Sequence, residues 1–539
     1  MAQDQQTFVK GTVILGIAAL ITKILGAVYR IPYQNITGDD GMYVYQQVYP
    51  LYSTLLILAT AGFPIAISKL VSEKVAANQV QAARKIFRVS SVMLFFTGFI
   101  FFLLLFFGAG SIAGWMGKPE LLTLPIQSVS FAFLIVPMLA AFRGYFQGYQ
   151  NMIPTATSQV VEQLIRVTTI LISAWYFMEF GYGVVYAGAG AIFGAVTGAV
   201  GSFIILLYFR MKQRSSLQLQ TTTEDFEPVE HTGKIISQLI AVSLPICLGA
   251  LTLPLFSLVD SFTVANLLEQ WGWGSEAISL KGAYDRGQPL IQFAAFFATA
   301  ISLSIVPAIA EAKAQQREKE ADDRATLAIR FTYIVGVPAS IGLAVVALPT
   351  NVMLFKDATG SEALMLLAFT TLFSTLGAVS TGILQGAGRL YLPAWNLLIG
   401  VLVKLGLNLW LIPIWDIRGA AIATVAAYAV ATILNLFALL KVVNLSITLR
   451  EIGRICIAVV WMAIVTFASV WLIQKMTVPF LSYRPAMAVT SLVSVAVGGI
   501  IYFWSLFYLG ILTREDIEKV PKLQAKLLPI LEKWRLLRS

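Results

Sequence analysis

Residues Ala141 to Val167 read AFRGYFQGYQNMIPTATSQVVEQLIRV, and they combine a polar hinge with buried charge. The hinge joins two long apolar segments. The second segment carries Glu162 and Arg166 at a depth where a membrane helix normally meets hydrocarbon. Ionisable residues in such positions usually face a cavity or a partner, so this stretch indicates a polar path through a membrane protein.

The hinge has a second copy later in the chain. The motif G-x-x-Q-G occurs twice, at 144–148 and at 382–386. The interval between the two copies equals the interval from Arg166 to Lys404, and this interval is here called the repeat offset. Pro50 and Pro289, each followed by Ala-Thr-Ala at the same spacing, are separated by nearly the same interval. Similarity at a fixed period indicates a duplication. The paired hinge or gate residues are Gly144, Gln147, Gly148 and Pro154 in the first copy, and Gly382, Gln385, Gly386 and Pro393 in the second.

The composition is that of a membrane protein. Of 539 residues, 58% are hydrophobic and only 12% are charged, whereas soluble domains have about 25% charged residues. Apolar runs of about 20 residues, long enough to cross a hydrocarbon core of roughly 30 Å, recur along the chain. We count about fourteen such runs, which predicts an all-α polytopic membrane protein.

The net charge of +10 follows from the predicted topology. Of 38 Lys and Arg residues, about 26 lie on one set of loops and tails and about 6 on the opposite set. This positive-inside pattern places both termini in the cytoplasm and needs no nucleic-acid partner. The first apolar run contains Lys23 and lacks a small-residue cleavage site, which predicts a retained helix rather than a signal peptide.

The domain organisation follows from the repeat. Six predicted helices per copy return the chain to the same side of the membrane, so the copies should be parallel, with a central cavity between two lobes. We predict an N-lobe at 1–210 with helices 1–6, a cytoplasmic linker at 211–234, a C-lobe at 235–448 with helices 7–12, two additional helices 13 and 14 at 449–510, and a basic amphipathic cytoplasmic tail at 511–539.

Basic side chains inside the predicted helices are the candidate substrate contacts. Each costs at least about 2.5 to 3.5 kcal/mol at the bilayer centre, so a cavity, a partner or a ligand should compensate it. Arg286 follows Asp285 directly, and consecutive residues do not face each other on a helix, so its guanidinium should be available to phosphate oxygens. The basic excess predicts an anionic cargo whose headgroup contacts Lys23, Arg30, Arg166, Arg286 and Lys404.

Acidic residues could instead neutralise part of this charge. Glu162 precedes Arg166 by four residues, the spacing of an intrahelical ion pair, and a structural role for that pair is as open as a functional one. The position that matches Glu162 in the second copy is Gly400, so Lys404 needs another partner. Either Asp260 on helix 7 or a substrate anion could supply it.

Several chemistries find no support in the sequence. No G-x-x-x-x-G-K-[ST] motif is present to bind ATP phosphates. Cys247, Cys456 and the single histidine, His231, form no metal-ligand spacing. The predicted outer loops are short. We therefore predict a transporter rather than an enzyme, with no cofactor and no metal site.

The chain resembles the polysaccharide-exporter branch of the multidrug/oligosaccharidyl-lipid/polysaccharide (MOP) superfamily, and within it the MurJ-type and stage V sporulation protein B-like lipid II flippases. The likeness rests on TKILG and YRIP in helix 1, on GYFQG and SQVVEQLIRV at the hinge, and on AYDR at helix 8. It covers essentially the whole chain.

The resemblance implies a flippase that moves an undecaprenyl-pyrophosphate-linked peptidoglycan precursor, lipid II, across a bacterial cell membrane by alternating access, driven by a coupling ion or the membrane potential. In the family, arginines on helices 1 and 8 line the cavity. Lys23 and Arg286 match two of them, Arg30 lies one residue from a third, and Thr54 replaces an arginine of helix 2. Three alternatives stay open: export of another polysaccharide lipid intermediate, cation-coupled drug or metabolite antiport, and a membrane glycosyltransferase or scaffold.

Overall fold

The computed structural model describes residues 2–218, 231–446 and 448–512, and every regular element in these ranges is a helix. Helices satisfy their backbone N–H and C=O groups internally, as a chain surrounded by hydrocarbon requires. The predicted all-α fold is confirmed. The predicted tail from residue 513 onward and half of the predicted linker, at 219–230, lie outside the described residues.

The chain divides into two compact units between Asp285 and Arg286, here called unit 1 and unit 2. The α-helices of unit 1 are α1 (Ala2–Val28), α2 (Arg30–Thr60), α3 (Phe63–Ala76), α4 (Val80–Trp115), α5 (Pro119–Ser130), α6 (Val136–Gly148), α7 (Ile153–Glu179), α8 (Val184–Gln218), α9 (Thr232–Ala250), α10 (Thr252–Leu268) and α11 (Glu276–Asp285). Those of unit 2 are α12 (Gly287–Ala314), α13 (Glu318–Val345), α14 (Ala347–Phe355), α15 (Ser361–Leu367), α16 (Thr370–Gly386), α17 (Leu392–Leu440), α18 (Leu449–Thr477) and α19 (Tyr483–Tyr508). The lobe boundaries drawn from the sequence remain a prediction.

Within the described residues, eleven helical stretches are long and apolar enough to cross a membrane. Two of them exceed a single crossing, since Ile14–Ala76 has 63 residues and Leu392–Leu439 has 48, whereas about 20 suffice. Both are interrupted by non-helical dihedral angles, at Gly38 in the first and at Trp415 and Asp416 in the second. The protein is therefore a multi-pass membrane protein, and the number of fourteen crossings stays a prediction.

Two element boundaries differ from the sequence-based expectation. Helix α8 continues to Gln218, into the polar segment predicted as a linker from Met211, because that segment contains neither glycine nor proline to interrupt a helix. The second helix predicted from the sequence, over about residues 45–71, is broken into α2 and α3 at Ala61 and Gly62. Pro64 follows this break, where its missing N–H costs no helical hydrogen bond.

The turn that follows the hinge motif has the same backbone geometry in both units. Each copy of the motif ends a helix, and a residue in the left-handed region follows. A hydrogen bond spanning six residues closes each turn, as in a Schellman helix end. The matching features are separated by the repeat offset: Gln150 (φ 57°) and Gly388 (φ 83°), and the bonds from Asn151 N–H to Phe146 C=O (3.0 Å) and from Arg389 N–H to Leu384 C=O (2.8 Å).

A second turn repeats at the same offset, after α3 in unit 1 and after α12 in unit 2. It is built in the same way, from a left-handed residue and a closing six-residue hydrogen bond. The features are Asn78 (φ 59°) and Gln316 (φ 56°), with bonds from Gln79 N–H to Lys74 C=O (2.8 Å) and from Arg317 N–H to Ala312 C=O (2.9 Å). Agreement of two turns at one offset extends the repeat from sequence to backbone geometry.

The last glycine of the motif lies at a close helix contact in each unit. A Cβ atom at Gly148 would lie 2.6 Å from Cβ of Val71 on α3, and one at Gly386 would lie 3.2 Å from Cβ of Ile309 on α12. The hypothetical Cβ atoms would also approach two carbonyl oxygens, those of Ser68 (3.0 Å) and Val306 (2.7 Å). These contacts too are related by the repeat offset. The glycines therefore allow two helices to approach each other closely.

We expect Gly148→Ala to lower the free energy of unfolding by about 1–3 kcal/mol, because the added methyl group overpacks the α3–α6 contact. The matched control is Gly110→Ala on α4, where a Cβ atom would meet nothing within 4 Å. That change should be neutral or stabilising by up to about 1 kcal/mol. Thermal unfolding of the purified variants measures both, and equal melting temperatures would contradict the assignment.

Candidate functional site

Buried charge in unit 1 centres on Glu162. Arg143 of α6 donates from Nη2 to Glu162 Oε2 at 2.6 Å, and Arg166, one turn along α7, donates from Nη2 to Oε1 at 2.8 Å. Arg143 also donates to the hydroxyl groups of Ser158 (3.2 Å) and Ser202 (3.0 Å). The predicted Glu162–Arg166 pair is present in the structure. With two arginines on one carboxylate, the cluster carries a net positive charge rather than none.

Sequence reasoning missed Arg143, although it lies in the hinge stretch. Near the end of an apolar helix an arginine can reach the membrane interface, so its position alone did not indicate a buried partner. The turn between α6 and α7 is only a few residues long. It folds the end of α6 back beside the start of α7, which brings Arg143 to Glu162. The signal that could have found it is a basic residue close to a short turn, opposite an acidic residue in the next helix.

A row of tyrosines lies beside this cluster. The hydroxyl groups of Tyr29 and Tyr45 share a hydrogen bond of 2.5 Å, and the ring of Tyr45 stacks on Tyr49 at 5.8 Å. The buried guanidinium of Arg30 lies 5.5 Å from the centre of the Tyr49 ring, in cation–π contact. Arg166 and three tyrosines of α2 line one small pocket. Its polar lining is Tyr45, Tyr49, Tyr52 and Arg166, and its apolar wall is Val129, Ala191, Ile192 and Ala195.

Asp260 has a hydrogen-bond partner within its own unit. The hydroxyl of Tyr284 donates to Asp260 Oδ2 at 2.9 Å, and both residues are buried. Nearby in sequence, the ammonium of Lys281 donates to both carboxylate oxygens of Asp285 at 2.6 Å. This buried pair was not predicted, although its i, i+4 spacing on a helix was the available signal. The pairing of Asp260 with Lys404 stays a prediction.

Arg286 is held by a carboxylate of unit 2. Its guanidinium, which is 1% exposed, bonds to both oxygens of Asp357 at 3.1–3.2 Å and lies 5.6 Å from the centre of the Phe355 ring. In this conformation the guanidinium is engaged by Asp357, and its availability to a ligand stays a prediction. Sequence reasoning looked only at the neighbouring Asp285, whereas the partner lies 71 residues away.

Lys404 is buried in α17, in a unit whose polar interior differs from that of unit 1. Asn396 donates to the side-chain oxygen of Asn435 at 2.9 Å, and Asn435 donates to the hydroxyl of Thr381 at 3.1 Å. Thr381 and Asn396 are the positions that the repeat offset pairs with Arg143 and Ser158. A neutral amide network thus occupies the positions that hold a charged cluster in unit 1.

The structure brings only some of the predicted residues together. Arg30 and Arg166 both lie against the tyrosine row of unit 1, whereas Lys23 is exposed on α1. Pro154 and Pro393 each lie in the first turn of their helix, α7 and α17, where a proline is tolerated. Within the described residues, no group of three or more His, Cys, Asp or Glu side chains is placed to hold a metal ion. The roles of these residues in substrate binding stay predictions.

We expect Glu162→Gln to lower the free energy of unfolding by about 3–5 kcal/mol, because it leaves two buried guanidinium groups without a carboxylate. The control is Glu318→Gln, which removes an exposed partner of Lys313 and should cost less than about 1 kcal/mol. Chemical unfolding of both variants measures the difference. Similar losses would show that the Glu162 cluster is not an energetically coupled buried network.

The ion pair between Asp357 and Arg286 predicts that the stability of the fold depends on pH. Burial opposes the charge of Asp357, but hydrogen bonds and attraction from Arg286 together hold the pKa of the Asp357 carboxyl below its ordinary value of 3.8. A lowered folded-state pKa stabilises the fold above about pH 4, and this stabilisation is lost as pH falls through the folded-state value. Asp357→Asn leaves the buried guanidinium of Arg286 without a carboxylate, so its melting temperature should be lower than that of the wild type at neutral pH, and this difference should vanish at acidic pH. A difference that grows on acidification would contradict the ion pair.

Comparison with known proteins places the chain in a family. The family model described as "Polysaccharide biosynthesis protein" matches residues 8–313, and the model described as "MatE" matches residues 245–410. The chain is 36% identical to the uncharacterized membrane protein YabM of Bacillus subtilis (strain 168) over 515 residues, covering 95% of this chain and 94% of YabM. It is 28% identical to the lipid II flippase MurJ of the same organism, covering 94% and 96% of the two chains.

Solved structures agree on the fold. A structure of lipid II flippase MurJ in the inward closed conformation matches with a TM-score of 0.65 at 14% identity, covering 93% of this chain and 99% of the other. An inward-facing multidrug resistance MATE family transporter matches with a TM-score of 0.62 at 14% identity, covering 80% and 98%. On the extent of the family-model match and of the similarity to YabM, this chain belongs to the polysaccharide biosynthesis protein family, within the MOP superfamily.

Proposed function

We propose that this protein is a flippase that moves a lipid-linked oligosaccharide from the inner to the outer leaflet of a bacterial cell membrane, with lipid II as its cargo. The observation that carries the proposal is the similarity along nearly the whole chain to a protein named lipid II flippase. In this proposal both termini are cytoplasmic, the two lobes alternate in access, and the protein performs transport without catalysis.

The chemistry of the cargo explains why such a protein is needed. Sugar hydroxyl groups and a pyrophosphate cannot cross hydrocarbon without hydrogen-bond partners, since each bare polar group costs several kcal/mol. Basic side chains within apolar helices supply such partners. In the proposal Lys23, Arg30, Arg286 and Lys404 contact the anionic headgroup, while Arg166 is engaged mainly by Glu162. The undecaprenyl chain stays in lipid.

The membrane potential could drive this movement. A pyrophosphate carries about two negative charges, and a potential that is negative inside favours their outward movement by roughly 4–5 kcal/mol per 100 mV. No nucleotide is required for a driving force of this size. Release of Arg286 from Asp357 would be part of the cycle, because the headgroup would compete with the carboxylate for the same guanidinium.

A second candidate is a cation-coupled drug or metabolite antiporter. The match to the MatE family model and the fold similarity to a multidrug transporter favour it. Against it stands the excess of basic over acidic side chains in the membrane helices, since a cationic drug would be bound by carboxylates. Exporters of other polysaccharide lipid intermediates share the chemistry of the first proposal and differ from it only in the glycan.

Depletion of the protein, in cells that lack any redundant flippase, tests the cargo. Lipid II should accumulate on the inner leaflet, and its appearance at the outer surface should fall at least tenfold. Labelling of outer-leaflet precursors together with a lipid extract measures both quantities. Accumulation of a capsule or teichoic acid precursor would instead assign another exporter substrate. A cell with normal precursors and altered drug efflux would support the antiporter.

Arg286→Ala should abolish complementation of the depleted cells, and the double variant Arg286→Ala/Asp357→Ala should not restore it. The reason is that the cargo, and not the ion pair, requires the guanidinium. Arg317→Ala, which removes an exposed arginine, is the control and should complement fully. Each variant is checked for normal abundance in the membrane. Recovery in the double variant would reduce Arg286 to a structural partner of Asp357.

A further inference from the structure

Three arginines of unit 1 lie near the start of α4 and toward the end of α8. Arg84 and Arg88 are one turn apart on α4, and Arg210 belongs to α8. The guanidinium carbon of Arg210 lies 4.8 Å from the centre of the Phe87 ring, and Phe87 stands between the two arginines of α4 in the chain. The same carbon lies 4.2 Å from the centre of the Tyr145 ring on α6. Arg84, Arg88 and Arg210 are here called the arginine patch.

Tyr149, in the turn after α6, connects Arg84 with Arg210. Its ring packs on that of Tyr145, with 4.9 Å between the ring centres. Burial and the neighbouring Tyr145 raise the pKa of the Tyr149 hydroxyl, whereas the charges of Arg210 and Arg84 oppose this rise. The guanidinium groups of two different helices therefore lie near the same hydroxyl group.

The arginine patch has no carboxylate partner in the part of the chain that the structure describes, where none of its three members forms a salt bridge. Glu73, the single acidic residue of the neighbouring α3, is exposed. Like charges one turn apart on a helix repel each other, as those of Arg84 and Arg88 do. An anion bound between the guanidinium groups would remove this repulsion.

The matching positions of unit 2 contain no basic residue. The repeat offset pairs the patch with Asp322, Thr326 and Thr448. In unit 2 these positions accept hydrogen bonds from the chain itself: Asp322 from the N–H of Asn444 at 3.1 Å, and Thr326 from the N–H of Ser446 at 3.2 Å. In unit 1 α8 is still helical at the positions that match these two donors, so their N–H groups bond within the helix. The replacement of acceptors by guanidinium donors indicates that the patch binds an acceptor from outside the chain.

Exposed apolar side chains begin one turn beyond the patch. On α4, Arg88 shares a face with Val92, Phe95 and Phe99, all of which are exposed. On α8, the exposed Tyr208 lies close to the patch in sequence. An exposed apolar face of a membrane-spanning helix meets acyl chains, so the patch lies at the level of the lipid headgroups. The loop before α4 is on the side predicted to be cytoplasmic.

We propose that the arginine patch binds the phosphate of an anionic phospholipid of the inner leaflet, whose acyl chains lie along the exposed face of α4. A guanidinium binds phosphate oxygens through two parallel hydrogen bonds. The three guanidinium groups repel the ammonium group of a zwitterionic lipid, which gives selectivity for an anionic one. The bound lipid stays in its leaflet, and the inference does not depend on the cargo proposed above.

Native mass spectrometry of the purified full-length protein in neutral detergent tests the proposal. Phosphatidylglycerol and phosphatidylcholine with identical acyl chains are titrated separately. Phosphatidylglycerol should bind in a saturable manner and at least about tenfold more tightly than phosphatidylcholine. Equal affinities would overturn the proposal. Displacement of phosphatidylglycerol by an equal concentration of inorganic phosphate would also overturn it, because the site would then be one for free phosphate.

Variants assign the binding to the patch. Arg84→Gln/Arg88→Gln should weaken phosphatidylglycerol binding by about tenfold to thirtyfold, because two basic contacts to the lipid surface are lost. The matched control is Arg317→Gln/Lys319→Gln, which removes the same charge from exposed positions at the corresponding turn of unit 2. That control should stay within about twofold of the wild type. Equal losses in the two double variants would overturn the assignment.

A charge-conserving variant separates a phosphate site from general surface charge. Arg84→Lys/Arg88→Lys keeps both charges and loses the planar fork, so it should bind phosphatidylglycerol at least about threefold more weakly. Wild-type affinity in this variant would reduce the patch to unspecific attraction and overturn the proposal.

The acidic linker is the other occupant that the experiment must distinguish. It carries four acidic residues, Glu224, Asp225, Glu227 and Glu230. Replacing all four by their amides should leave the affinity for phosphatidylglycerol within about twofold of the wild type. A gain of about tenfold or more would show that this segment, and not a lipid, occupies the patch in the full chain.

Discussion

Compensation of buried positive charge is the constraint on which the interior of this protein depends. A chain with 58% hydrophobic residues offers few hydrogen-bond acceptors, so each basic side chain in a membrane helix needs a specific partner that compensates its charge. Arg166 shares a carboxylate, Arg30 lies over a tyrosine ring, and Arg286 reaches a carboxylate at the edge of its unit. Lys281 forms a fully buried pair within one helix. Loss of one charged partner leaves the other charge buried and unpaired, which is strongly destabilising.

The repeated turns show how the two halves of the chain support these contacts. In each unit a glycine lets the hinge helix lie against its neighbour, and a left-handed residue then reverses the chain. The following helix begins with a proline in its first turn. The close contact between helices, the reversal of the chain and the start of the next helix are therefore all specified within about ten residues. The hinge places the end of one helix beside the start of the next, which is the geometry that brings Arg143 to Glu162.

Much of the fold could be predicted because it rests on local signals. Apolar length, the position of prolines and the repeated motif act within one helix or one turn, so the sequence carries them directly. Partners of buried charges were predicted only where they lie one turn apart, as for Glu162 and Arg166. Arg143 and Asp357 were missed because their partners are 19 and 71 residues away, and tertiary packing decides which distant side chains meet. The break before Pro64 and the length of α8 show the same limit, since apolar runs indicate a crossing but not its interruptions.

The two units differ at positions where the repeat would predict them to be alike. Arg143 and Ser158 of unit 1 correspond to Thr381 and Asn396 of unit 2, and Glu162 corresponds to Gly400. The first set binds through ion pairs, whereas in the second Thr381 and Asn396 are joined through the neutral amide of Asn435. A hydrogen-bonded amide network needs no counter-charge at the two positions where it replaces Arg143 and Ser158. The same backbone framework therefore holds an ion-paired cluster in one half, and in the other a neutral amide network at Thr381 and Asn396 with a buried Lys404 at the position of Arg166.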